Sequence, residues 1–274
     1  MSDKKILVWD SSGTMTNSLP ERFIICADAF LTVHPGTDLQ ITPGNQIVTA
    51  SEYVARIAQM KEQYARFERL NPFVQKGKDG YSILEAMRRG IDGQIETEAQ
   101  FKAFKKGLDE GTQDLFYEAF QNIRRDMKKK DTEAWYRLQP AFPGVAEAVR
   151  QMHETGLWDG EYVLTAKEAA LVATLVDRYG IGDIIPNSMV RDTIDTKANT
   201  LGVIAQERGR TIGDVVFVED SMPNLKPCYE AGAKSVLAGW GYTNQIQLGE
   251  AKQMGIPIAQ NAQHLVQILE TMAR

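Results

Sequence analysis

Apolar residues fall into two regimes along the chain. From about residue 140 onward, short apolar runs alternate with stretches whose apolar residues recur every three or four positions. The runs "YVLT" (162–165), "VVFV" (215–218), "SVLA" (235–238) and "IPIA" (256–259) predict β-strands. Between them Val145, Val149 and Met152 share one helical face, as do Val172, Leu175, Val176 and Tyr179. The glycines of "YGIGD" and "YEAGAKS" stand where such helices stop. This alternation predicts an α/β fold, a Rossmann-like parallel sheet with helices on both faces, because parallel neighbours need crossover helices that cover the sheet.

The segment from 18 to 136 reads differently, with helix signals and hardly any run that suits a buried strand. "SLPE" (18–21) has the form of a capping box with Pro in the first turn, and Leu19, Phe23 and Phe30 follow at helical spacing. Phe116, Phe120, Ile123 and Met127 make a second stripe, and "HPGTD", "TPGN", "KGKDGY" and "GIDGQ" break the segment into several helices. Such stripes are the ordinary core of a helical bundle. "RRDMKKKD" (124–131) reads as a solvated helix end. The run "ILVW" (6–9) has the buried character of the later strands but stands apart from them. The economical arrangement is a core domain built from residues 1–17 and 137–274, with an all-α lobe, 18–136, inserted after the first strand.

Composition narrows the function classes. The chain has 274 residues, 43% hydrophobic and 24% charged, enough for a core and a smaller lobe. A formal net charge of −5 gives no footprint for nucleic-acid phosphates, so no nucleic-acid partner is expected, and a small anionic substrate would need a local positive site. The four-residue apolar run near the start is too short for a signal peptide and no stretch suits a bilayer, so a cytoplasmic location without a membrane partner is expected. Cys26 and Cys228 read as buried thiols, and His34, His153 and His264 show no ligand spacing, which argues against zinc. Nothing in the pattern fixes the oligomeric state.

In open parallel sheets ligands sit beyond the carboxyl ends of the strands, which singles out Asp10, Thr165 and the pair Glu219-Asp220. Carboxylates brought this close repel unless a cation lies between them, and Mg²⁺, which takes oxygen ligands, meets that demand.

Four separated motifs make the chain similar to the haloacid dehalogenase (HAD) superfamily, of the phosphoglycolate phosphatase and phosphonatase kind. "WDSSGTMTNS" resembles the first motif, with Asp10 at the nucleophile position. "YVLTAK" with Thr165, Lys197 in "DTKANTLGVIAQERG", and "VFVEDSMPNLKPCYEAGA" resemble the second, third and fourth, and "AGWGYTN" (238–244) resembles the loop after the next strand. The resemblance covers the core and puts the inserted lobe in the place of a cap domain. It implies a Mg²⁺-dependent hydrolase acting on a small phosphorylated metabolite. Asp10 would attack phosphorus, Thr165 and Lys197 would hold the phosphoryl oxygens with the adjoining Ala166, and Asp10, the backbone carbonyl of Ser12, Asp220 and Glu219 would supply the metal site.

The match also has a departure. In phosphatase members a second Asp, two residues after the nucleophile, acts as general acid and base; here that position is Ser12. A serine hydroxyl scarcely ionises near neutrality, and the lost role is typically worth ~10²–10⁴-fold in rate. Asn17 and Asn224 likewise stand where carboxylates are common in the family. Besides the phosphatase reading, the resemblance therefore leaves open a phosphonatase or dehalogenase-type hydrolase and a catalytically impaired protein that binds a phosphorylated metabolite; a docking module built on the helical lobe is a third class. Phosphonatases use a cap lysine, for which Lys61, Lys76, Lys78 and Lys102 are available.

Overall fold

The structure is a computed structural model that describes residues 4–38, 50–193 and 195–273. The chain divides into two units, one of Met1–Asn17 with Ala141–Arg274 and one of Ser18–Pro140. Strand β1 (Lys5–Asp10) is followed by the helical unit: α1 (Leu19–Val33), α2 (Ala50–Gln59), α3 (Lys61–Leu70), α4 (Asp79–Arg88), α5 (Glu98–Lys106), α6 (Glu110–Lys130) and α7 (Thr132–Arg137). The chain then continues through α8 (Val145–Glu154), β2 (Trp158–Thr165), α9 (Ala169–Arg178), β3 (Val190–Asp192) and α10 (Lys197–Glu207). It ends with β4 (Val215–Glu219), α11 (Met222–Glu230), β5 (Lys234–Ala238), α12 (Gln245–Gln253), β6 (Ile258–Ala259) and α13 (Ala262–Ala273).

Within the helical unit Phe23, Phe30, Phe116 and Phe120 are buried as their spacing predicts, and α1 packs on α6. The capping-box expectation at 18–21 fails. Ser18 makes no side-chain cap bond, and Glu21 is buried, accepting from Arg124 Nε at 2.8 Å and Trp135 Nε1 at 3.1 Å. A carboxylate taken out of water needs such partners, and they outcompete the helix end. Residues 137–140 group with these helices instead of with the sheet, because Leu138 and Gln139 are buried at the end of α7. The "TPGN" punctuation lies outside the described residues.

The core is a parallel sheet in the order β3-β2-β1-β4-β5-β6. β1 is buried on both faces. Leu7 and Trp9 join Val149, Val176, Val218 and Leu265 on one side, while Ile6 and Val8 join Leu201, Phe217, Leu225 and Cys228 on the other. That double burial is why these strands read as continuous apolar runs. β3 has one buried residue, Val190, and no apolar run to announce it. "IPIA" shortens to Ile258–Ala259, since Pro257 has no N–H to give a ladder. Among the described residues no helix is long and apolar enough to cross a membrane.

β1 lies where the strand order reverses, with β2 and β3 on one side and β4, β5 and β6 on the other. Asp10 is level with Leu164, and Trp9 with Val218, so Thr165 and Glu219 end their strands beside Asp10. Crevices at this point are where doubly wound sheets bind ligands.

Candidate active site

The turn after β1 is tightly made. Met15 and Thr16 donate to the Ser11 carbonyl at 3.0 and 2.8 Å, and Gly13 donates to the Thr16 carbonyl at 2.9 Å. Thr16 bridges Ala141, and Phe142 donates to the Met15 carbonyl at 2.9 Å, which ties the turn to the returning chain. Gly13 has φ +100°, and a Cβ there would overlap the Asp220 carboxylate. Glycine is thus required twice at this position, for its dihedral and for the approach of Asp220.

Asp10, Glu219 and Asp220 are all buried, and each can place a carboxylate oxygen within 4.8 Å of the others'. A cation joins two of them: Lys197 Nζ donates to Asp10 Oδ1 and, at 2.5 Å, to Glu219 Oε2. Lys197 reaches the cluster from the first turn of α10, which is capped by Thr196 accepting from Asn199 N. The other Glu219 oxygen accepts from Ser221 N at 3.1 Å, so both are engaged by the chain. Asp220 Oδ2 accepts from Tyr242 N at 2.7 Å, and Thr14 Oγ1 points at Oδ1 from 3.5 Å.

Electrostatics follow from three carboxylates facing one ammonium. Burial, then repulsion from Glu219, pushes Asp10 up to about 7 against the pull of Lys197. Burial and the two neighbouring carboxylates raise Asp220 well above the usual carboxylate range. Burial works against the charge on Lys197, but attraction to Asp10 and Glu219 outweighs it and holds the amine above its ordinary value. With all four groups ionised the cluster carries two negative charges without a partner, which a low-dielectric site tolerates poorly. Hard oxygen donors and this charge deficit fit a divalent cation such as Mg²⁺.

Not all of the other residues singled out in the sequence join this cluster. Thr165 is buried at the end of β2, where its Oγ1 accepts from Lys167 N at 2.9 Å and keeps its own proton to donate. Its carbonyl is fixed by Thr193 N and Oγ1 at 2.8 and 2.9 Å. Ala166 is exposed in the loop that follows. The Ser11 and Ser12 hydroxyls are buried without a hydrogen-bond partner. Asn17 Oδ1 accepts from Tyr242 OH at 3.2 Å, whereas Asn224 is exposed on α11, away from the paired groups. Cys26 and Cys228 are free, buried thiols. In the helical unit Lys61, Lys76 and Lys102 are exposed, Lys102 pairs with Glu98, and Lys78 pairs with Asp114.

Sequence reasoning did not assign roles to Trp240, Gly241 and Tyr242. Trp240 Nε1 donates to the Thr14 carbonyl at 3.1 Å, and a Cβ on Gly241 would overlap the Gly13 carbonyl and Asp220 Cβ. With the Tyr242 N–H on Asp220, this loop braces the turn and the fourth motif together. The Gly-Trp-Gly-Tyr run after β5 was the available signal, because a glycine between aromatics after a strand marks a close backbone approach.

A parallel sheet reversing its order at a buried acidic cluster defines an α/β protein of the doubly wound class with an inserted helical unit. Its particular fold is that of the haloacid dehalogenase-like hydrolases. A protein of Lactobacillus delbrueckii subsp. bulgaricus described as a phosphoglycolate phosphatase is 14% identical, with a TM-score of 0.64 over 98% of both chains. A Haemophilus somnus protein described in the same way is 15% identical, with a TM-score of 0.57 over 98% of this chain and 99% of that one. A haloacid dehalogenase-like hydrolase of Streptococcus pneumoniae is 15% identical, with a TM-score of 0.57 over 98% of this chain and all of the other. No family model matches the sequence, and no curated protein matches it.

Proposed function

We propose that this chain is a Mg²⁺-dependent hydrolase of a small phosphorylated metabolite, with Asp10 as nucleophile. The observation that carries the reading is the convergence of Asp10, Lys197 and the pair Glu219-Asp220, drawn from three separate places in the sequence, at the switch point of a HAD-like sheet. Asp10, Asp220 and the backbone carbonyl of Ser12 would hold the metal. When bound, Mg²⁺ supplies positive charge that orients and polarises a phosphoryl group.

Each residue then has a defined task. An Asp10 oxygen attacks phosphorus and forms an aspartyl-phosphate, which divides one hard displacement into two easier ones. Lys197 brings positive charge to the place where the phosphoryl oxygens gain negative charge, and Glu219 fixes the direction of its ammonium. Thr165 donates its hydroxyl proton to the same oxygens, with Ala166 beside it in the loop. The domain reading accompanies this assignment: the helical unit serves as the cap that the resemblance implies.

A panel of phosphate esters, acyl phosphates, phosphonates and 2-haloacids, assayed with Mg²⁺ for wild type and Asp10→Asn, tests the reading. Phosphate release that needs Asp10 supports it. Turnover confined to phosphonates or haloacids would move the reaction to the other hydrolases of this fold, and absence of any Asp10-dependent product would leave a binding protein.

A further inference from the structure

The metal reading divides the site between two pieces of chain. Asp10 and the Ser12 carbonyl belong to β1 and the turn that follows it, whereas Asp220 comes directly after β4. The ladder between these strands ends at Trp9 and Val218, so how closely the turn approaches Asp220 is set by what lies beyond that pair. The loop after β5 lies there. A Cβ on Gly241 would fall 2.2 Å from the Gly13 carbonyl oxygen and 2.3 Å from Asp220 Cβ, so bare backbone fills the gap between turn and aspartate. Gly13 has φ +100°, but Gly241 is not among the glycines with positive φ, and close approach alone calls for glycine at this position.

Several bonds hold Gly241 in that gap. The Gly239 N–H donates to the Ala259 carbonyl at 2.8 Å, which roots the loop in the sheet, and the Gly241 N–H donates to the Ala238 carbonyl at 3.1 Å. Trp240 Nε1 grips the turn at the Thr14 carbonyl. Tyr242 reaches both pieces at once: its N–H donates to Asp220 Oδ2 at 2.7 Å and its OH donates to Asn17 Oδ1 at 3.2 Å. The Phe142 ring meets the Tyr242 ring edge-on, with centroids 6.2 Å apart.

We propose that Gly241 and Tyr242 are positioning residues that hold the two halves of the metal site at a fixed separation and thereby set its preference for Mg²⁺ over Ca²⁺. The inference rests on the metal reading above and adds what decides the choice of ion. Mg²⁺ demands near-octahedral oxygen ligands at about 2.0–2.1 Å, whereas Ca²⁺ accepts irregular coordination at about 2.3–2.6 Å. Halves held apart by no more than a glycine backbone suit the smaller ion. A side chain wedged between them, or slack in the loop that spans them, moves the balance toward the larger one. The Tyr242 amide also leaves Asp220 with one oxygen fixed by the chain, so the direction in which the carboxylate presents itself depends on how firmly the loop is held.

Isothermal titration of the full chain with MgCl₂ and, separately, with CaCl₂ gives the two Kd values for wild type, Gly241→Ala, Tyr242→Phe and Gly249→Ala. Gly241→Ala is expected to weaken Mg²⁺ binding by about 10–100-fold, the usual cost of disturbing a group that orients metal ligands. Ca²⁺ binding should change far less, so the ratio of the two constants shifts toward Ca²⁺ by about tenfold. Tyr242→Phe keeps the amide on Asp220 and loses only the phenol bond to Asn17, and it shifts the ratio in the same direction by a smaller factor. Gly249→Ala, on α12 where an added Cβ meets nothing within 4 Å, leaves both constants as they are. Tyr242→Phe adds no bulk to the gap and decides the matter by itself if Gly241→Ala does not fold. Equal losses for the two ions in these variants, as general loosening of the fold would produce, or no change in either constant, overturn the inference while leaving the metal reading in place. A wild-type protein that binds neither ion removes the metal reading, and the inference with it.

Discussion

Lys197 Nζ donates to Asp10 Oδ1 across 187 positions of sequence, and the same ammonium donates to Glu219. The lysine side chain is 9% exposed and its partners are buried, so the bond joins the start of α10 to the ends of β1 and β4 with little competition from water. Removing one member of such a group leaves charge buried and unpaired.

Lys197→Met is therefore expected to destabilise the fold by about 3–5 kcal/mol near neutral pH. Without the ammonium, Asp10 is pushed still further above its ordinary carboxylate value. A group whose folded pKa is raised stabilises the fold at low pH and loses that contribution as pH rises through the folded value. The deficit relative to wild type should accordingly grow between pH 6 and pH 8, as urea denaturation at the two values would show.

Mg²⁺ should stabilise the wild-type protein more strongly at pH 8 than at pH 6. Asp10 is pushed up to about 7 and Asp220 is raised as well, so binding at the lower pH must displace protons that are absent at the higher one. At a free concentration a hundred times Kd, binding adds about 2.7 kcal/mol. Thermal melts with and without Mg²⁺ measure the shift, and Asp220→Asn should reduce it at pH 8. Equal shifts at both pH values would contradict the assignment of these carboxylates to the metal.

Glu161 offers a check that does not involve the site. It sits buried in β2, with neither oxygen hydrogen-bonded and His153 Nδ1 3.4 Å from Oε1. Burial pushes it up to about 7, with a small opposing effect from Trp9. Between roughly pH 4.5, where a free glutamate ionises, and 7, the unfolded chain releases a proton that the folded chain keeps, so this residue's contribution to stability falls as pH rises. Glu161→Gln should be more stable than wild type at pH 8, by on the order of 2–3 kcal/mol at most, and the advantage should fade toward pH 4. Denaturant midpoints across this range would show a flat difference if the carboxylate were already ionised in the fold.

The candidate site was legible where a polar residue follows an apolar run. Asp10, Thr165 and Glu219-Asp220 each end a strand whose burial on both faces makes the run continuous, and parallel topology brings such ends to one edge. Lys197 could be placed only through its resemblance to a motif, because a lysine at a helix start looks like any solvated one until its partners are seen. The brace from Tyr242 N to Asp220 was not legible, since a backbone donor leaves no mark on residue type and depends on the approach that Gly241 permits. β3 escaped notice because a three-residue edge strand needs one buried side chain, and the capping pattern at Ser18 misled because Glu21 answers to Arg124 and Trp135 across the helical unit.

The central claim is that the Asp10 carboxylate bonds to phosphorus. Acid-quenched turnover of acetyl phosphate with Mg²⁺, followed by peptide mass spectrometry, tests it most directly. A phosphoryl increment on the peptide containing Asp10, absent from Asp10→Asn and from samples without Mg²⁺, is the predicted result. Phosphate release by an Asp10→Asn protein at the wild-type rate, or a phosphoryl group carried on a different residue, would contradict it.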